Sequence, residues 1–192
     1  MFDDKIRHIL TNREQRTVLT SDAPLKPAAV LLPLYRKGDK YYLLFTKRTE
    51  TMEYHKGQIC FPGGAQNKSD SDLKQTALRE TYEEIGVHPE DVEILGVLDK
   101  MGTLTSNFLV TPFVGIIPHP YKFRINKSEI EELIEIPLSA LAEKESYREE
   151  TYIVDEVARV GGIFEYKGKT IWGATARILK QFLELIYEGN DK

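Results

Sequence analysis

The chain has 192 residues, with 26 basic and 30 acidic side chains and a net charge of −4. Hydrophobic residues make up 41% and charged residues 29%, which excludes a disordered chain and fits one globular domain. The acidic balance argues against a general nucleic-acid binder, which needs a basic face to displace counterions, but leaves room for a small anionic substrate.

Phe2, Ile6, Ile9 and Leu10 recur at helical spacing and predict a short helix over residues 2–12. TSDAPLKP, residues 20–27, reads as a linker because two prolines break periodic structure. AAVLLPLY and YYLLFTKR flank Arg36-Lys37-Gly38-Asp39-Lys40, a strand–turn–strand signal. Residues 49–71 read as irregular. A helix follows, with Ser69, Asp70 and Ser71 as candidate N-caps and Gly86 as its C-terminal stop. Val92–Leu98, Phe108–Ile117, Ile153–Val160 and Ile163–Ile171 read as strands, with turns at Gly161-Gly162 and Lys167-Gly168. A final amphipathic helix runs from about Gly173 to Tyr187, and Trp172 is expected to pack against it.

One cysteine, Cys60, cannot close an intramolecular disulfide and reads as a buried apolar residue. The opening MFDDKIRHIL lacks the features of a signal peptide, and no apolar run reaches the roughly 20 residues of a membrane span. The expectation is a cytoplasmic protein with no membrane or nucleic-acid partner. Tyr35, Tyr41 and Tyr42 lie in strands, where tyrosines usually pack rather than stack on a base.

The chemistry concentrates in FPGGAQNKSDSDLKQTALRETYEEIGV, residues 61–87. Glu80, Glu83 and Glu84 stand at i, i+3 and i+4 on one helical face, with Cβ atoms about 5–6 Å apart. Such carboxylates repel one another unless solvent screens them or a hard divalent cation takes their oxygens. Pro62-Gly63-Gly64 lets the backbone turn sharply and approach a ligand closely. Gly64 comes 15 positions before Arg79, so loop and helix form one unit.

This segment resembles the Nudix box, G-x5-E-x7-R-E-U-x-E-E-x-G-U, through Gly64, Arg79, Glu80, Glu83, Glu84, Gly86 and Val87. It departs at two places. Asp70 stands where the first glutamate is usual, with eight residues rather than seven before Arg79, and Thr81 takes the first bulky position. Upstream, LLFTKRTETMEYHKGQICFPGG resembles the signature of the coenzyme A diphosphatase branch, through Lys47, Arg48, His55, Gly57, Gln58, Phe61, Pro62, Gly63 and Gly64. Glu53 stands where that branch has arginine. VTPFVGIIP, SEIEELIEIPL and IWGATARIL also resemble this branch.

The resemblance implies a single-domain α/β sandwich with a mixed central sheet, here spanning 25–188 between an N-terminal helix and linker at 1–24 and a tail at 189–192. It implies hydrolysis of the diphosphate bond of coenzyme A or a derivative, supported by Mg²⁺ or Mn²⁺. Glu80 and Glu84 are the expected metal ligands, with Glu83 a third ligand or a partner of the other two. Arg79 is expected to hold a glutamate. The base is either a box glutamate such as Glu83 or a loop acid such as Glu129. Lys47, Arg48, His55, Gly63 and Gly64 are the candidate substrate contacts, and Lys47 and Arg48 read equally as solvated cations. Another nucleoside diphosphate derivative, or a non-catalytic nucleotide sensor, stays open as an alternative. A homodimer is compatible with the family, although no segment shows an interface.

Overall fold

The computed structural model describes residues 1–20, 24–50, 57–154 and 157–188. The chain opens with helix α1 (Phe2–Thr11) and strand β1 (Thr17–Val18). The hairpin β2 (Lys26–Lys37) and β3 (Lys40–Arg48) is followed by two short strands, β4 (Ile59–Cys60) and β5 (Gly63–Ala65). Helix α2 (Leu73–Ile85) leads to β6 (Glu93–Val97), β7 (Lys100–Gly102), β8 (Phe108–Ile116) and β9 (Ile130–Pro137). The short α3 (Leu138–Leu141) precedes β10 (Tyr147–Val154), β11 (Val157–Tyr166) and β12 (Lys169–Ile171). Helix α4 (Gly173–Leu183) runs on into a π-helical turn at Glu184–Glu188.

β2 explains the layering. Its side chains alternate between two buried faces, so it reads as a continuous apolar run. Ala29 and Leu31 pack with Leu73 and Ala77 of α2. Ala28, Leu32 and Leu34 join the cluster that holds Ile178, Leu179 and Phe182 of α4 and Ile6 and Leu10 of α1. The sheet is therefore sandwiched between α2 on one face and α1 and α4 on the other.

Among the described residues, the main sheet runs β1-β7-β8-β2-β3-β4, with β5 on β2, β6 on β8 and β9 on β3. It is mixed: β2 pairs β8 in parallel, whereas β3 pairs β2 and β9 antiparallel. β3 parts from β2 after Leu43, and β4 and β5 enter the gap. That wedge delivers the Pro62-Gly63-Gly64 turn to the α2 face. β10, β11 and β12 form a second, three-stranded sheet. Asp99, at the β6–β7 connection, accepts from the Arg16 backbone N–H at 2.7 Å and from Arg13 and Gln181, which ties the N-terminal segment to α4. No helix of the described residues is long and apolar enough to cross a membrane.

Three expectations are corrected. The N-cap of α2 is Asp72, whose carboxylate accepts from the Gln75 backbone N–H at 2.7 Å, and not Ser69, Asp70 or Ser71. Gly161-Gly162 is not a turn but lies inside β11, opposite Glu150 and Glu149. A Cβ at Gly162 would come within 2.5 Å of the Tyr147 ring, so this glycine makes room for an aromatic side chain. Trp172 stands at the N-cap of α4 and is 48% exposed, because the helix buries Ala176, Leu179 and Phe182 instead. The tyrosines are packing residues: Tyr35 is buried and stacked between Tyr42 and His119, and Tyr41 donates to Asp3.

Candidate active site

α2 is fixed at both ends. Asp72 caps its start, and Gly86 ends it in a left-handed conformation at φ 75°. Ala77, Thr81, Glu84 and Ile85 form its buried side. Burying that stripe brings Glu84 under the β4–β5 turn, where its side chain is 2% exposed.

Glu84 Oε1 accepts from Arg48 Nη1 at 3.3 Å, and its other oxygen faces the Gly63 backbone N–H at 3.4 Å. Burial pushes this carboxyl up to about 8, against the pull of Arg48, and Glu80 and Glu129 push the same way. Burial also pushes the Glu80 carboxyl up, opposed by Arg79 and aided by Glu83 and Glu129. Glu80 and Glu84 are therefore desolvated carboxyls that also feel the charge of Glu129, which itself stays partly exposed. Glu129, at the entry to β9, comes within 4.0 Å of Arg48 Nη2.

Arg79 spends its guanidinium on the protein. Nε and Nη2 donate to Asp70 at 2.9 and 3.0 Å, Nη1 to Glu80 at 2.7 Å and Glu83 at 3.0 Å, and Nη2 also to the Ala65 carbonyl at 3.2 Å. Five donors meet five acceptors, so no N–H remains for a substrate phosphate. Asp70 is the residue whose role the sequence left unread. Its carboxylate also accepts from the Asn67 N–H at 2.8 Å and Thr76 Oγ1 at 2.9 Å. These bonds, Arg79 first, hold it well below the usual carboxylate range. Asp70 anchors Arg79, and Arg79 sets the position of Glu80.

Gly64 completes the cradle. A Cβ there would fall 2.6 Å from the Glu80 carboxylate. That end of a glutamate can move, so Gly64→Ala is expected to displace the carboxylate rather than unfold the protein. The expected outcome is about a tenfold lower kcat with the melting temperature within about 3 °C of wild type, read by steady-state kinetics and thermal denaturation.

The remaining candidates are placed as follows. Lys47 pairs with Glu131 at 2.9 Å, on the rim. Arg48 lies inside, against Glu84 and Glu129. Glu83 is half exposed and gives one oxygen to Arg79. His55, and Glu53 with it, lie outside the described residues. The Cys60 thiol is pushed up by burial and by Glu84, so it is no nucleophile.

Among the described residues, no three acids, histidines or cysteines already converge as a ligand set. The chemistry of the donors still suits a hard divalent cation. Glu80, Glu84 and Glu129 offer only oxygen, burial and neighbouring acids raise the proton affinity of Glu80 and Glu84, and a cation beside them would offset both repulsion and burial.

The family described as "NUDIX domain" matches residues 24–157. The relative named uncharacterized Nudix hydrolase NudL of Enterobacter sp. (strain 638) is 39% identical over 161 residues, spanning 81% of this chain and 80% of that protein. The peroxisomal coenzyme A diphosphatase NUDT7 of Mus musculus is 35% identical over 139 residues, spanning 72% of this chain and 58% of that one. In fold, the chain is similar to a MutT/nudix family protein from Enterococcus faecalis (TM-score 0.56, 16% identity, 88% of this chain and 65% of that one). It is also similar to a MutT protein from Methanosarcina mazei Go1 (TM-score 0.51, 18% identity, 90% of this chain and 100% of that one).

Proposed function

The chain belongs to the NUDIX domain family and is a hydrolase of pyrophosphate bonds, and on that premise we propose that its substrate is coenzyme A or a derivative. The products are then 3′,5′-ADP and a 4′-phosphopantetheine compound. The observation that carries the site reading is the buried Glu84 carboxylate, desolvated together with Glu80 and paired with Arg48, which also approaches Glu129. The substrate reading is supported by the residues from Lys47 to Gly64 that match the coenzyme A branch and by the likeness to the mouse diphosphatase.

Glu80 and Glu84 would hold the cation, Mg²⁺ or Mn²⁺, with Glu83 joining through the oxygen that Arg79 leaves open. Bound there, a divalent cation would supply positive charge beside the diphosphate. Arg79 keeps Glu80 in place, and Asp70 keeps Arg79. Arg48 holds Glu84 and Glu129 apart at a fixed spacing. Water adds to one phosphorus, the bridging P–O bond breaks, and the leaving phosphate takes the bonding pair. Glu129 accepts the proton that the water gives up. Glu53, in place of the branch arginine, favours a second reading in which another nucleoside diphosphate derivative is preferred.

The test is a chromatographic product analysis of coenzyme A with the protein and Mg²⁺ or Mn²⁺. The expected result is 3′,5′-ADP, lost entirely on adding chelator and restored by excess metal. No 3′,5′-ADP with either metal, from a folded sample that consumes ADP-ribose or NADH, would replace the coenzyme A reading with the second one.

A further inference from the structure

Asn126 lies in the loop between β8 and β9, outside every motif that marked the site in the sequence. Its backbone joins two parts of the site. The Asn126 N–H donates to the carbonyl of Glu84 at 2.9 Å, at the end of α2. Its own carbonyl accepts from the Glu129 and Ile130 N–H groups at 3.1 and 2.9 Å, which starts β9. Glu129 is pinned from the other side as well, where its carbonyl accepts from the Thr49 N–H at 2.9 Å.

The side chain does a separate job. Asn126 Oδ1 accepts from the Ser128 backbone N–H at 3.2 Å and from Ser128 Oγ at 2.6 Å. A backbone N–H can only donate, so the amide orientation is fixed and Nδ2 points the other way. Nδ2 donates to Glu129 Oε1 at 3.0 Å. That bond occupies one carboxylate oxygen and leaves Oε2 on the side of Arg48. An otherwise free glutamate on a loop would sample several rotamers, and one directed bond removes most of that freedom.

We propose that Asn126 is a positioning residue for the reaction: its amide holds the Glu129 carboxylate toward Arg48 and Glu84, so that Oε2 is presented to the attacking water. The inference rests on the reading of Glu129 as the proton acceptor, and it adds a residue that never touches substrate.

Two variants separate this role from loop architecture. Asn126→Asp keeps the shape, both Ser128 bonds and all the backbone bonds. It replaces only the Nδ2 donor, and puts a carboxylate against Glu129. Asn126→Ala removes the whole amide. Each is tested alone and, for Asn126→Ala, in a Glu129→Gln background, by steady-state kinetics on coenzyme A with Mg²⁺ and by thermal denaturation.

Both single variants should lose about tenfold or more in kcat, with KM within about twofold and the melting temperature within about 3 °C. In the Glu129→Gln background, Asn126→Ala should change kcat by less than about twofold, because residues acting as a unit are not additive. A fully active Asn126→Asp variant would overturn the proposal, since only the Ser128 turn would then matter. So would an unchanged tenfold effect of Asn126→Ala in the Glu129→Gln background, with the reading of Glu129 left standing. If Glu129→Gln is itself as active as wild type, the reading of Glu129 fails and the proposal falls with it.

Discussion

Glu84→Gln is expected to reduce kcat by about 10²- to 10³-fold while leaving the protein folded. The rate follows from what the neutral amide cannot do. A hard divalent cation binds charged oxygen far better than a carboxamide, and losing about 3–4 kcal/mol of transition-state stabilisation gives a change of that size. The stability follows from where Glu84 sits. Its carboxylate is 2% exposed, and among the described residues its oppositely charged partner is Arg48 at 3.3 Å. A buried ion pair gains little net stability, because desolvation offsets most of the attraction. Glutamine fills the same volume and can still accept from Arg48. The melting temperature should stay within about 3 °C of wild type. A well-folded Glu84→Gln enzyme with wild-type turnover would remove Glu84 from the reaction.

Asp70→Asn should destabilise the fold and weaken catalysis together. Asparagine presents an NH₂ group to a site that holds only donors: Arg79 Nε and Nη2, the Asn67 N–H and Thr76 Oγ1. One of those bonds becomes donor against donor, and Arg79 loses its charged partner. The expected cost is about 2–3 kcal/mol, or a fall of about 4–12 °C in melting temperature. Turnover should drop about tenfold, since Arg79 no longer fixes Glu80. The cost also has a pH signature. The Asp70 carboxyl is depressed in the folded protein, so its contribution is present above the unfolded value of about 3.9 and fades as pH falls below it. The gap in melting temperature between wild type and Asp70→Asn should therefore be widest above about pH 4 and narrow below it. A gap that stays constant down to pH 3 would show that the charge of Asp70 is not what stabilises Arg79.

Long elements were legible because their signals repeat. The run around β2 and β3, the acidic face of α2 and the stripe of α4 each carry several turns or alternations. The same holds for Gly86, whose place after a periodic segment marks a helix end. β4 and β5 span two and three residues, too few for any period to show. β9 carries Glu131, Glu132 and Glu135 among its apolar residues, which blurs the alternation. In Ser69-Asp70-Ser71-Asp72, four side chains can cap a helix, and local chemistry does not choose among them. Arg79 does, by taking Asp70 for an ion pair and leaving Asp72 at the cap. Gly161-Gly162 looked like a turn because glycine pairs often are, whereas Tyr147, 15 residues away from Gly162 in sequence, is the reason for it. The candidate site divides in the same way. Its box residues are contiguous and could be named from order alone. Asn126 matters only once its loop folds back on the end of α2, and no spacing announces that.

Glu80 and Glu84 are the proposed ligands of the divalent ion. Mn²⁺ binding followed by electron paramagnetic resonance on the wild type, Glu80→Gln and Glu84→Gln tests this assignment without relying on turnover. The wild type should bind Mn²⁺ stoichiometrically, with affinity weakened at least about tenfold in each variant. Equal Mn²⁺ affinity and stoichiometry in all three proteins, each folded, would contradict it.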